Sequence, residues 1–98
     1  MKKLYLLLVI LISYNGYSQE NCKVLKIGID SLYEGSCKKG LADGPGEAWG
    51  KHHYKGDFKK GYPHGNGTIE YNDGSVYKGG WKNGELDGKG FLYFKKNV

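Results

Sequence analysis

Apolar and polar positions divide the chain into two unlike parts. Lys2 and Lys3 are followed by an apolar run over 4–12 in which nothing is more polar than Tyr5. Further on, apolar residues alternate with others in short stretches separated by glycine and charge. Tyr77, Gly79 and Trp81 would share one face of an extended segment, as would Gly90, Leu92 and Phe94. A period of two predicts short strands joined by tight turns. Long helices are disfavoured by 17 glycines in 98 residues, since an interior helical glycine costs about 1 kcal/mol relative to alanine.

The alternating part repeats itself. Tyr33-Glu34-Gly35, Tyr54-Lys55-Gly56 and Tyr77-Lys78-Gly79 open three units spaced 21 and 23 residues apart. The fifth position holds Cys37, Phe58 and Trp81, and the eighth holds Gly40, Gly61 and Gly84. The twelfth and fourteenth hold Gly44 and Gly46, Gly65 and Gly67, Gly88 and Gly90. Each unit predicts a hairpin with strands near its positions 1–6 and 13–18. In that register Trp81 faces Gly90, Gly79 faces Leu92 and Tyr77 faces Phe94. In the second unit Phe58 faces Gly67, Gly56 faces Ile69 and Tyr54 faces Tyr71. A large ring then lies over a glycine, which explains glycine inside strands it would otherwise weaken. Gly35, Gly44, Gly46, Gly56, Gly65, Gly67, Gly79, Gly88 and Gly90 are the structural glycines of this scheme. Between units, Asn72-Asp73-Gly74 predicts a three-residue loop with Gly74 left-handed, pairing Tyr71 with Ser75 and placing Ile69 beside Tyr77. The first unit is two residues shorter between Gly50 and Tyr54, and its Trp49 sits one position early. Either a bulge near Pro45-Gly46 swings Trp49 inward, or Trp49 stands exposed beside His52, His53 and Tyr54 as a contact site.

The spacing Tyr-x-Gly-x-aromatic-x-x-Gly-x-x-x-Gly-x-Gly, complete in Tyr77 to Gly90, resembles the MORN repeat (membrane occupation and recognition nexus) over residues 33–98. The resemblance implies an all-β fold of tandem β-hairpin repeats forming a single-layer antiparallel meander sheet with one aromatic-lined face. It also implies contacts with proteins, dimerisation or attachment to anionic lipid. The units are then 33–53, 54–76 and 77–98. Residues 19–32 become an N-terminal capping strand, with Leu25 and Ile27 laid onto Ile69 and Tyr71, because the end unit of an array lacks a neighbour. Some plant phosphoinositide kinases carry such repeats, but their catalytic domain is separate and nothing here corresponds to it.

The amino-terminal pattern adds a destination. A basic start, a short apolar run and the small residues of Gly16-Tyr17-Ser18 before Gln19 have the layout of a cleavable secretory signal over 1–18. The run is shorter than the roughly 20 apolar residues a membrane span needs. Cleavage near Ser18-Gln19 predicts an exported protein, periplasmic or secreted, in an oxidising compartment. Without that segment the chain carries 13 Lys, no Arg and 10 acidic residues, a net charge of only +3. This balance permits weak attraction to anionic surfaces and argues against nucleic acid.

The chemistry-bearing residues are few. Cys22 and Cys37 are the only cysteines, and an oxidising compartment favours their pairing. A hairpin turning at Ile29-Asp30 sets them directly opposite, whereas the register of the repeats sets them diagonally. His52 and His53 point to opposite faces of a strand, and no zinc-finger spacing occurs, so no metal site is expected. No nucleophile elbow, catalytic set or phosphate loop preceding a helix is present, so no enzyme activity and no cofactor are expected. The expected function is a non-enzymatic module for protein–protein binding or scaffolding in the cell envelope, with an unidentified envelope or secreted partner or a second copy. The alternative is peripheral binding to anionic lipid or polymer. The candidate surface combines the aromatics Trp49, Tyr54, Phe58, Tyr62, Tyr77 and Trp81 with Lys55, Lys59, Lys60, Lys78 and Lys82. The terminal stretch 91–94 is a further place for self-association, because an unpaired edge invites another strand.

Overall fold

The structure, a computed structural model, describes residues 22–95. The segment read as an export signal, 1–18, lies outside the described residues, as does the start of the expected cap, 19–21. Six strands follow in chain order: β1 (Leu32–Lys38), β2 (Leu41–Trp49), β3 (His53–Lys59), β4 (Tyr62–Glu70), β5 (Val76–Lys82) and β6 (Glu85–Tyr93). Each pairs antiparallel with the next, giving one six-stranded meander sheet, and no helix occurs among the described residues.

The hairpins close more tightly than expected. Their turns are the two-residue pairs Lys39-Gly40, Lys60-Gly61 and Asn83-Gly84, with both residues left-handed, φ being 50° at Asn83 and 84° at Gly84. Such mirror-image turns match the twist of the flanking strands. The returning strand therefore starts at the ninth position of the unit, not near the thirteenth. It then takes four residues from Pro63 to Gly67 while β3 takes two from Phe58 to Gly56, and Gly65, at φ 97°, lies in this bulge. The observed pairs are Gly56 with Gly67, Tyr54 with Ile69 and Phe58 with Pro63. In the third hairpin they are Gly79 with Gly90, Tyr77 with Leu92 and Trp81 with Leu86. The expected register is thus corrected in both hairpins, by two residues from the glycine pair outward and by four between the bulge and the tip. Because the shift is even, every side chain keeps its face.

Glycine now meets glycine. Gly35, Gly46, Gly56, Gly67, Gly79 and Gly90 face one another in succession across all six strands. Over each hairpin's glycine pair lies the tyrosine two residues upstream. Tyr54 Oη donates to the Asp57 carbonyl at 2.8 Å and Tyr77 Oη to that of Gly80 at 3.0 Å. A Cβ on Gly67 would strike the Tyr54 ring, and one on Gly90 the Tyr77 ring. A ring does lie over each glycine, but it is the first-position tyrosine and not the expected Phe58 or Trp81.

The connection between the second and third hairpins has the expected form. Tyr71 N donates to Ser75 O at 2.8 Å, Gly74 is left-handed with φ 91°, and Ile69 pairs with Tyr77. Asp73 Oδ1 accepts from Ser75 N at 2.8 Å and from Ser75 Oγ at 2.6 Å, which holds the Asp73 carboxyl below its ordinary pKa.

The expected capping strand is not a strand. Where it is described, its only ladder contact is an isolated parallel bridge between Lys23 and Leu41, and Ile27 is 87% exposed. The segment crosses one face of the sheet as a strap. Lys23 N donates to Gly40 O at 2.9 Å and Leu25 N to Gly61 O at 2.8 Å, at the tips of the first two hairpins. Gly28 O accepts from His52 N at 2.8 Å, and Ser31 N donates to Trp49 O at 2.9 Å, at the opposite end. The physical reason is burial. A single-layer sheet has an apolar face to cover, and the strap sets Val24 and Ile29 onto Ala42, Ala48, Tyr54, Phe58, Ile69, Tyr77 and Trp81. Each large apolar side chain so covered contributes roughly 1.5–3 kcal/mol, which extending the sheet edge would not provide. Cys22 and Cys37 are joined by a disulfide, with a Cα–Cα distance of 5.6 Å. Neither expected hairpin register produces it, since residues 22–31 form no strand alongside β1.

Candidate functional site

Four of the six aromatics expected on the binding surface are in the core. Tyr54, Phe58, Tyr77 and Trp81 are 0%, 4%, 6% and 4% exposed. They form a zigzag of edge-on rings, with Tyr33–Phe58 at 5.1 Å, Tyr54–Phe58 at 5.0 Å, Tyr54–Trp81 at 5.2 Å and Tyr77–Trp81 at 5.5 Å. Each fifth-position ring touches the first-position tyrosine of its own hairpin and of the one before. Trp81 Nε1 also donates to Gly67 O at 3.0 Å, which ties the third hairpin to the second. Burial pushes the Tyr54 phenol well above its ordinary pKa, and nearby Asp57 adds to the shift. These residues hold the array together and are withdrawn from the candidate surface.

Trp49 takes neither of its two expected places. Ala48 enters the core, so Trp49 points to the opposite, outer face, where it is half-buried. It stacks on His53 with ring centres 5.3 Å apart and planes 12° from parallel. His53 Nε2 lies 2.6 Å from Glu47 Oε2, and its Nδ1 lies 4.0 Å from Glu70 Oε1. His52 turns away, packing edge-on against Tyr71 and accepting from Asn72 N at 3.0 Å through Nδ1. The bulge that was to swing Trp49 inward does exist, at Gly44, but it turns the strand without changing the face of Trp49.

The candidate lysines separate into two groups, all exposed. Lys59, Lys60 and Lys82 stand at the hairpin tips, beside Lys38 and Lys39, which sequence reasoning left out. An open cleft of about 550 Å³ between the first two tips is bordered by Lys38, Lys39, Lys59 and Lys60. Asp43 lies in the same cleft and accepts from Lys60 N at 3.1 Å. Lys55 and Lys78 lie on the outer face, bordering with Lys89, Phe91 and Tyr93 a shallow depression of about 680 Å³. Tyr62 stays at the surface, 36% exposed, and packs against the Gly84 turn.

Among the strands, β6 leaves the most large apolar side chains open. Leu86, Phe91, Leu92 and Tyr93 are 46%, 67%, 48% and 57% exposed, and Phe94 just beyond is 76% exposed. Among the described residues no strand pairs with the outer side of β6. The stretch 91–94 carried the signal in the sequence, being apolar on both faces of a single strand. Among the described residues, no group of three or more His, Cys, Asp and Glu side chains could hold a metal ion. Comparison with protein families finds the MORN repeat at residues 54–76 and 77–97.

Proposed function

Residues 54–76 and 77–97 are two MORN repeats, a class of module that generally binds proteins or membrane lipids, and from this premise we propose that the chain is a non-enzymatic, exported module for protein binding or scaffolding in the cell envelope. The observation that carries the binding surface is β6, whose apolar side chains are exposed while Ala42, Ala48, Tyr54, Phe58, Ile69, Tyr77 and Trp81 on the inner strands are buried. An unpaired edge offers a row of backbone donors and acceptors, and flanking apolar side chains add area to any strand that joins it. Export is supported by the basic, apolar and small-residue succession over 1–18.

A photo-crosslinking residue in place of Phe91, compared with one in place of Lys38, tests the surface in living cells. Protein adducts concentrated at 91 are the expected result. Adducts at neither position would overturn the reading. Intact mass of the envelope fraction tests export: a chain beginning near Gln19 is expected, and full-length chain retained in the cytoplasm would refute it.

A second reading has its own observation. Lys38, Lys39, Lys59 and Lys60 gather at one end of the sheet, where they could meet anionic lipid or polymer. Basic residues near such a surface contribute about 1 kcal/mol each. Asp43 in the same cleft reduces the total. Pelleting with anionic vesicles that survives physiological salt and disappears when these four lysines become glutamine would favour this reading. Pelleting lost at modest salt would leave β6 as the site.

A further inference from the structure

Among the described residues no strand pairs with the outer side of β1 or of β6, and these two edges carry much of the two halves of the interface that already joins one hairpin to the next. At the junction of β4 and β5, Gly65 faces Trp81, Gly67 faces Gly79, Ile69 faces Tyr77 and Glu70 faces Val76. At the junction of β2 and β3 the same places hold Gly44 with Phe58, Gly46 with Gly56, Ala48 with Tyr54 and Trp49 with His53. The returning strand thus offers glycine, glycine and an aliphatic residue, and the outgoing strand answers with a bulky residue, glycine and tyrosine. β6 presents the first half in Gly88, Gly90 and Leu92. β1 presents Tyr33 and Gly35 of the second half, with the disulfide-bonded Cys37 where Phe58 and Trp81 stand at the inner junctions.

We infer that β6 of one copy pairs with β1 of a second copy, continuing the meander head to tail. This names the partner for the binding module proposed above and rests on that reading. Carrying over the register of the inner junction pairs Leu92 with Tyr33 and Gly90 with Gly35 of the second copy, extending the glycine row unbroken across the joint. On the outer face it pairs Tyr93 with Leu32, both 57% exposed in the single chain. One charge pair agrees: Asp87 comes opposite Lys38 of the second copy, a favourable cross-strand pair. Pairing β6 with β6 of a second copy about Gly90 would instead set Asp87 against Tyr93 and Leu92 against the bare Gly88, repeating neither inner junction. A head-to-tail contact leaves each end free for another copy, so assembly is open-ended.

Light scattering on the protein purified after expression of the full chain gives the first reading. The apparent mass should rise with concentration beyond that of two chains. Leu92→Lys blocks one edge and Leu32→Lys with Glu34→Lys blocks the other. Each variant alone should be monomeric, and an equimolar mixture should give dimers and nothing larger. Dimers of the variant altered only at Leu32 and Glu34 would overturn head-to-tail pairing in favour of β6 with β6. A wild-type chain monomeric at all concentrations would overturn self-assembly altogether, while adducts to another protein at position 91 would still uphold the binding reading. Disulfide trapping avoids dependence on the charged variants: Leu32→Cys mixed with Tyr93→Cys should crosslink under oxidation. Neither alone should do so, and crosslinking of Tyr93→Cys with itself would contradict the inference.

Discussion

At the β1 end the strap running from Lys23 to Ser31 and the Cys22–Cys37 bond lie against the sheet, and the first two hairpins bury Ala42, Ala48, Tyr54 and Phe58 almost completely. At the β6 end the same repeat leaves Leu86 and Leu92 nearly half exposed. A repeat unit therefore does not complete its own core. Tyr33 is finished by Phe58 and Tyr54 by Trp81, each ring from the following hairpin, but Tyr77 has no such ring after it. Stability in this array is a property of junctions, as expected for a chain of units that touch only their neighbours.

Substitutions at matched places can break that contrast. Trp81→Ala should have the largest effect, destabilising by about 4 kcal/mol in urea unfolding, because it empties the junction between the second and third hairpins. Leu86→Ala, in the same hairpin but with its side chain half exposed, should cost under about 1 kcal/mol. Replacing Cys22 and Cys37 by serine should cost about 3 kcal/mol, the value for closing a loop of this length. Hydrogen exchange should then accelerate in the strap and in β1 to β3 while β5 and β6 change little; uniform acceleration would show one cooperative unit.

Glycine substitutions sharpen the comparison further. Gly67→Ala drives a methyl group into Tyr54, held between two hairpins, and should cost about 2–3 kcal/mol. Gly90→Ala meets Tyr77, which can yield towards the open end, and should cost less by thermal unfolding. Equal losses would mean the open end is as tightly packed as the interior. The pH dependence follows from Tyr54. Its folded pKa is raised, so stability is intact below the unfolded value and declines as pH rises above about 10, where the unfolded phenol ionises first. Tyr54→Phe should weaken that decline. The smallest effect is at the connecting loop. Asp73 has a lowered pKa, so its contribution is present above about pH 4 and fades as acid protonates it. Ser75→Ala should shift the acid unfolding midpoint slightly upward.

The regions of this fold legible in the sequence were those where two constraints agreed. For Asn72-Asp73-Gly74, the turn chemistry and the need to keep Ile69 beside Tyr77 pointed to the same three-residue loop. The hairpin register lacked such agreement. A six-residue loop, and a two-residue turn followed by a bulge, span the same length and leave the faces unchanged, so periodicity could not separate them. Lys60-Gly61 and Asn83-Gly84 were the discriminating residues, and the glycine pairs beyond them drew the hairpin end too far along. The strap was hidden for a different reason. Val24 and Ile29 are five residues apart in an irregular path, and such burial leaves no period to read. Tyr54, Phe58, Tyr77 and Trp81 were correctly placed on one face, but the strap that makes that face an interior was invisible, so core residues passed for surface.

The connectivity of the meander also determines how the molecule would meet a mechanical load. Successive strands lie side by side in chain order, so tension applied between residues 22 and 95 runs across the sheet, along its hydrogen bonds. Bonds loaded in that direction break singly and in sequence, as in a zipper, and do not resist together as they would under shear. The third hairpin, whose tip receives no backbone hydrogen bond from the described strap, would peel first at low force. The disulfide would keep the first hairpin and the strap linked as a short tether after the strands had separated.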